Sequence, residues 1–378
     1  MQNQAPPRRP HARPRHRILY LVVALATVIA GVIAPATADA APSGARGSAF
    51  VWANQPSSPT YTPSATYQWN SRHPFAAVNT ITRSGVGRYT VRLPDLAAAS
   101  GTVHVTAYGA STYHCKVVNW FPSGTAQFIN VRCFTTTGAL VDTFYTLSYT
   151  NPGGFPWDLG YVWANQPTSG SYVPSPSYQA NSSGATNRID RLGVGAYRVR
   201  LPNLGRVAGH VQVTAYGAGA ERCKVGSWGP VGAEQQIRVF CYGPTGNRVD
   251  TRFTLTYVRN GNILGASPLC CNPDGHPTAY AWANQPTAAS YTPALAYQFA
   301  DFGRITISRL GVGSYAVHTP RSLGNGNVQV TAYGDGSAQC KVSFWTSASG
   351  IRVLCFTTAG RPVDTFYDVS FVGPFIIG

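Results

Sequence analysis

Hydrophobic and polar positions alternate strictly along many short stretches of this chain. Tyr89, Val91 and Leu93 alternate with Arg88, Thr90 and Arg92, and Val103, Val105 and Ala107 alternate with His104, Thr106 and Tyr108. A period of two places one face of a strand in a core and the other toward solvent. No stretch beyond the N-terminal segment shows the 3.6-residue period of an amphipathic helix.

The alternating stretches belong to a larger repeat. Three segments open alike, with FVWANQP at Phe50, YVWANQP at Tyr161 and AYAWANQP ending at Pro286. Each continues in the same order through GVGRYTVRLP, GVGAYRVRLP or GVGSYAVHTP, then VHVTAYG or VQVTAYG, then CKV followed by a tryptophan, a second cysteine, and VDT. Trp52 and Trp163 lie 111 residues apart and Trp163 and Trp282 lie 119 apart. That period is far longer than a solenoid unit, so each copy has the size of a domain. About seven or eight strands per copy, separated by turns, predict an all-β chain of three tandem antiparallel β-sandwich modules, jelly-roll or immunoglobulin-like. The predicted boundaries are residues 48–150, 161–259 and 279–378, with a linker at 260–278.

Cysteine spacing adds a staple to each module. Cys115 and Cys133, Cys223 and Cys241, and Cys340 and Cys355 fall once per copy, and pairing within each copy is the simplest arrangement. Closing a loop of this size stabilises by roughly 3 kcal/mol in the chain-entropy model. Cys270 and Cys271 have no counterpart in the other linker. A vicinal disulfide, a bridge between two chains that makes a dimer, and pairing with a lipid or thiol are the alternatives for them. Eight cysteines without any C-x-x-C fit an oxidising compartment.

The N-terminus points the same way. Arg8, Arg9, Arg13, Arg15 and Arg17 precede an apolar run over residues 18–34, and Ala38 and Ala40 supply an A-x-A pattern. Residues 1–40 therefore read as a signal peptide cleaved after Ala40, with a retained anchor as the alternative given the length of the run. The mature chain is then expected to be secreted, extracellular or cell-wall associated, with no membrane span. Removing those five arginines and Asp39 takes the formal charge from +16 to +12. Outside a cell, such a surface meets anionic polymers or headgroups rather than nucleic acid. Charged residues are only 11% of the chain beside 39 Gly and 28 Pro, a composition of short strands and many turns.

Repetition also tests for chemistry, because an enzyme repeated three times should repeat its catalytic groups. The histidines do not recur, and His104 corresponds to Gln212 and Gln329. One carboxylate alone, the Asp of V-D-T (Asp142, Asp250, Asp364), is common to all copies, whereas glycosidase chemistry needs two. Gly-Val-Gly precedes a strand, so it reads as a turn and not as a phosphate loop. No catalytic residue, metal site or cofactor is expected.

The lysines do recur. The chain has three, Lys116, Lys224 and Lys341, each directly after the first cysteine of a copy. If Cys115 and Val117 face the core, Lys116 points away from it, and Asp142 does so by the same alternation. The plainer reading is a cross-strand Lys–Asp pair, worth about 0–1 kcal/mol if exposed. The sharper reading adds Thr106 and Tyr108, Thr214 and Tyr216, and Thr331 and Tyr333, making a polar-aromatic patch suited to a sugar. Three weak sites would gain through effective concentration on a polymeric ligand. Trp52, Trp163 and Trp282, and Trp120, Trp228 and Trp345, read instead as core rings with the indole N–H bonded to main chain.

The WANQP, GxGxYxV, VxVTAYG, CKV and VDT signatures resemble those of secreted tandem-repeat proteins of actinobacteria, a resemblance that covers about 330 residues and brings no assigned activity. The R-x-G-V-G-x-Y-x-V stretches beginning at Arg83, Arg191 and Arg309 are similar to a strand-turn-strand element of phage tail-fibre tip modules, which implies a β-sandwich that binds cell-surface ligands. The expected function is a non-enzymatic, multivalent binder of cell-wall or extracellular polysaccharide or another anionic surface polymer. The alternative is a structural or adhesive surface protein acting through module or protein contacts.

Overall fold

The computed structural model describes residues 46–152, 154, 157–268, 275–320 and 324–374. Residues 1–40, expected to be a signal peptide, and the Cys270-Cys271 pair lie outside the described residues. Among the described residues, no helix is long and apolar enough to cross a membrane.

Each repeat folds as the alternation requires. In the first, the strands are β1 (Gly47–Ala53), β2 (Thr60–Tyr61), β3 (Gln68–Asn70), β4 (Thr80–Gly85), β5 (Arg88–Leu93), β6 (Thr102–Ala107), β7 (His114–Ser123), β8 (Ala126–Phe134) and β9 (Tyr145–Asn151). They form an antiparallel four-stranded sheet, β3-β1-β9-β6, and an antiparallel five-stranded sheet, β2-β4-β5-β8-β7, and both other repeats reproduce these orders. Nine strands rather than seven or eight are present because β2 and β3 are only two and three residues long, too short to display a period of two. Ala49, Val51, Val103 and Leu147 of one sheet meet Val91, Val117, Ile129 and Val131 of the other in the core. Each such aliphatic side chain contributes roughly 1.5–3 kcal/mol on burial. Tyr145, Phe253 and Tyr367 occupy equivalent positions opposite Ala53, Ala164 and Ala283. The Tyr145 and Tyr367 hydroxyls have no partner, so ring volume is what that position demands.

The staples form as expected, Cys115–Cys133, Cys223–Cys241 and Cys340–Cys355, each joining residues directly opposite on adjacent strands. The Gly-Val-Gly turns have a steric cause. Gly87 has φ +63°, and a Cβ there would lie 2.7 Å from the Cys133 carbonyl oxygen and 2.7 Å from the Val141 amide nitrogen. Gly195 and Gly313 are confined in the same way by the backbone after the second cysteine.

The outer face of the four-stranded sheet is where alternation misleads. Its polar positions do not face water: His104, Thr106, His210, Gln212, Gln329 and Thr331 are all buried. The three four-stranded sheets turn these faces toward one another, and β6 touches both of its equivalents, His210–Tyr216 and Asn327–Ala332, which touch each other as well. Beyond β6, Tyr108 makes a parallel bridge to Val342 of the third repeat; Tyr333 bridges to Val225 of the second, and Tyr216 to Val117 of the first. The bonds are near-identical, with Gly109 N–H to the Val342 carbonyl at 3.0 Å, Gly334 to Val225 at 2.9 Å and Gly217 to Val117 at 2.9 Å. Each four-stranded sheet thus runs on into the five-stranded sheet of another repeat, and the chain closes into a pseudo-threefold ring that pairs three sheet edges.

The connections are packed into this ring. Asn151 and residues 158–160 lie within strands, although the sequence suggests a linker over 151–160. In the second connection Ile263 and Leu264 are buried, and Leu264 clusters with Phe50, Trp69 and Val372. The 41–378 segment is accordingly one compact unit. A ring whose interior is shared has no module that can unfold at leave. Scanning calorimetry of the purified chain is expected to give a single transition with a van't Hoff to calorimetric enthalpy ratio near one, where three independent modules would give about one third.

Candidate functional site

The candidate residues separate into three environments. On the pseudo-threefold axis lie the threonines. The Thr106 hydroxyl donates to Gln329 Oε1 at 2.7 Å and accepts from the Val330 amide at 3.1 Å, and the His104 ring lies 3.2 Å from Thr214 Oγ1 and 2.8 Å from Thr256 Oγ1. Thr146 and Thr254 donate at 2.7 Å to the carbonyls of Val328 and Val103. Thr106, Thr214 and Thr331 are therefore interface residues, buried between repeats, and not part of an open patch.

The lysines do point away from their own core, as the alternation predicts, but the next repeat covers them. Lys116 Nζ pairs with Glu221 Oε2 at 2.7 Å, Lys224 donates to the Gly336 carbonyl at 2.7 Å, and Lys341 to Ser111 Oγ at 3.1 Å. Each reaches across a junction into the loop preceding its neighbour's first cysteine. Burial pulls the Lys341 ammonium down to about 7 and that of Lys224 to about 8, with Asp335 opposing the shift at Lys224. Lys116 is lowered by burial against the pull of Glu221.

The expected Lys–Asp pair does not form. Asp142 instead takes a bidentate bond from Arg83, at 3.0–3.1 Å from Nε and 2.8 Å from Nη2, with the Gly87 amide at 2.8 Å and the Tyr89 hydroxyl at 2.9 Å. Asp250 repeats this with Arg191, Gly195 and Tyr197, and Asp364 with Arg309, Gly313 and Tyr315. These carboxylates are struts that hold the Gly-Val-Gly hairpin. The arginine and the tyrosine of R-x-G-V-G-x-Y recur with the aspartate in every copy, so the signal for this set was present in the sequence.

The tyrosines end in a third place, one that sequence reasoning only half found. Tyr108 lies 4.8 Å from Trp52 and 5.5 Å from Trp345 of the third repeat, and Trp52 is 4.2 Å from Tyr67. At the next junction Trp163 sits 5.0 Å from Tyr178, 5.1 Å from Tyr216 and 5.8 Å from Trp120 of the first repeat. At the last, Trp282 sits 4.9 Å from Tyr297, 5.0 Å from Tyr333 and 5.3 Å from Trp228 of the second. Two indoles and two phenols thus meet at every junction, mostly edge-to-face, a geometry worth about 0.5–1.5 kcal/mol per pair beyond area burial. The rings are half-buried apart from Trp120, which is buried. The W-A-N-Q-P tryptophans are junction residues and not core: their Nε1 atoms have no hydrogen-bond partner, nor do the buried Oδ1 atoms of Asn54, Asn165 and Asn284 two residues on, while Gln55, Gln166 and Gln285 are exposed. Of the tryptophans after the lysines, Trp120 alone shows the expected main-chain bond, to the Ser100 carbonyl at 3.2 Å. Tyr67, Tyr178 and Tyr297 recur just before Gln68, Gln179 and Gln298, which is the sequence signal for the fourth ring.

Among the described residues no three His, Cys, Asp or Glu side chains converge as metal ligands would. In the interior, His210 Nδ1 lies 3.6 Å from Asp368 Oδ1. Burial lowers the imidazole to about 3 and raises the carboxyl well above its usual range, disfavouring the charged form of each. No family model matches the chain, and comparison with curated proteins and with solved structures found no match.

The struts carry a pH dependence. In Asp250 and Asp364 the arginine hydrogen bond, and in Asp142 the arginine, amide and phenol together against a larger burial cost, hold the carboxyl below 3.8. A carboxyl lowered by folding contributes stability above its unfolded pKa, near 3.9, and loses it as pH falls through the folded value. The contribution of the struts to the melting temperature is expected to be constant above about pH 5 and to be lost below about pH 4, in addition to the loss that the buried, depressed His210 brings as pH falls below its ordinary value of 6.5. Asp142→Ala should cost about 1–3 kcal/mol at pH 7 in urea unfolding, and the triple Asp→Asn variant should flatten the acid limb.

Proposed function

We propose that this chain is a secreted, non-enzymatic protein that binds a cell-wall or extracellular polysaccharide through three equivalent sites, one at each junction between repeats. The observation that carries the reading is the threefold recurrence of a cluster of two tryptophans and two tyrosines, half-buried apart from Trp120, with an exposed glutamine three residues after one of the tryptophans. Such rings offer the flat apolar face that a pyranose stacks on, and the neighbouring amide is suited to orienting hydroxyls. The proposed site therefore keeps Tyr108, Tyr216 and Tyr333 from the polar-aromatic patch and leaves its threonines, lysines and aspartates aside. Because the repeats are locked in a ring, the three sites have fixed separations, and avidity would come from a polymer that spans them without the entropy of swinging linkers. The mature net charge of +12 favours an anionic polymer.

A second reading has its own observation. The Gly-Val-Gly hairpins present Val86, Val194 and Val312 at 53%, 56% and 55% exposure, which favours an adhesive surface acting through protein contacts.

Co-sedimentation with cell-wall material and insoluble glycans, at low and at about 1 M salt, where the Debye length is ~3 Å, separates these readings. Tyr67→Ala, Tyr178→Ala or Tyr297→Ala is expected to weaken binding by roughly threefold to tenfold, and the triple variant by ~10²-fold or more. Unchanged sedimentation of the folded triple variant, or complete loss of binding at high salt alone, would rule the aromatic site out. Self-association without glycan binding would favour the adhesive reading.

A further inference from the structure

On the pseudo-threefold axis, where the strands carrying the first cysteines meet, lies a cavity of about 70 Å³. One water needs only roughly 10–15 Å³. The wall is built from equivalent positions of the three repeats, including Lys116, Lys224 and Lys341 and the three first cysteines. One ring of positions breaks the equivalence: the residue before the first cysteine is His114, Arg222 or Gln339.

Arg222 is the unexplained group. It is 8% exposed, it lines the cavity, and none of its three guanidinium nitrogens has a partner in the protein. Its two equivalents are each bound on one side only. His114 Nε2 lies 3.1 Å from the Ala220 carbonyl with Nδ1 left unpartnered, and Gln339 Nε2 donates to the Thr112 carbonyl at 2.7 Å with Oε1 left unpartnered. Burial, with Arg222 and Lys116 nearby, keeps the His114 imidazole neutral. The single carboxylate among the lining residues, Glu221, is already paired with Lys116. Lys224 and Lys341 donate to a carbonyl and a hydroxyl, neither of which cancels charge. Four basic side chains thus line one small space with one carboxylate among them, burial already drawing Lys341 down to about 7 and Lys224 to about 8, and an uncompensated buried charge such as that of Arg222 is among the costliest arrangements a fold can hold.

We propose that this axial cavity is an anion site that takes one small inorganic oxyanion, of the phosphate or sulfate class, bound by the Arg222 guanidinium within the ring of three lysines. A planar guanidinium with all its donors free matches oxyanion geometry, and the lysine ammoniums retain further protons to donate. Water could satisfy the hydrogen bonds of Arg222 but would leave the charge standing. The site is separate from the aromatic junctions and does not depend on their binding a glycan.

The test uses the full mature chain exchanged into an anion-poor buffer. Equilibrium dialysis with radiolabelled phosphate is expected to show one saturable site per chain, competed by sulfate, and saturating phosphate should raise the melting temperature by a few degrees. Arg222→Gln should abolish saturable uptake while melting at least as high as the wild type in the anion-poor buffer, since an unpaired buried charge has been removed. Arg188→Gln, at an exposed position away from the cavity, should bind as the wild type does. Should Arg222→Gln fail to fold, Lys341→Gln is expected to weaken uptake by tenfold or more. Absence of a saturable site in the wild type, which would mean that the cavity holds water only, overturns the proposal. So does uptake that survives unchanged in folded Arg222→Gln or Lys341→Gln.

Discussion

The structure depends on one arrangement, the burial of three polar sheet faces against each other around a common axis. A β-sandwich of this size needs only one buried face per sheet, and the sheet carrying β6 has two. Its second face is paved with Thr, Ser, His, Gln and Asn, and such groups can leave water only when they find partners. They find many of them across the axis, as in the Thr146 and Thr254 hydroxyls on carbonyls of neighbouring repeats and the His104 ring between two threonines. Closure of the ring, the buried lysines and the aromatic junctions all follow from that packing.

The interior of each module was legible because period-two alternation records burial directly. Val103 and Val105 face a core, and Cys115 and Cys133 face each other between neighbouring strands. Alternation distinguishes two faces but does not say what the polar one meets. His104, Thr106 and Lys116 read as solvent-facing because polar side chains usually are, and in this ring the solvent has been replaced by another repeat. The recurrence of the lysines is a true signal, but its cause lies in the neighbouring repeat. A chain that uses arginine elsewhere keeps lysine where a slender ammonium must cross a junction to a carbonyl or a hydroxyl, as Lys224 and Lys341 do. The same alternation places Asp142 on the lysine's face, although the arginine and tyrosine that hold it stand together in the R-x-G-V-G-x-Y stretch.

The junction sites were the least legible, since each is composite. Trp52, Tyr67 and Tyr108 come from one repeat and Trp345 from another, and no motif within a single copy reveals that the fourth ring arrives from elsewhere. Repeated tryptophans in a small module are ordinarily its core, and here they fill the seams between modules, where all but Trp120 remain partly accessible.

Closure also revises what repetition can be asked to prove. Off the axis, equivalent positions have equivalent surroundings, so identity across copies is informative: the Arg–Asp–Tyr strut and the aromatic quartet recur without exception. On the axis, three equivalent side chains approach one another, and identical groups would face their own kind. Divergence is then tolerated at some of these positions, although Thr106, Thr214 and Thr331 and the three lysines stay identical there. His104 is matched by Gln212 and Gln329, and Thr146 and Thr254 by Asp368, whose buried carboxyl oxygens have no hydrogen-bond partner among the described residues and whose pKa burial raises. The scatter of histidines therefore carries less weight against chemistry at the axis than against chemistry at the junctions. The one cationic member of the His114, Arg222 and Gln339 ring is the sort of asymmetry expected where three copies share a single central ligand.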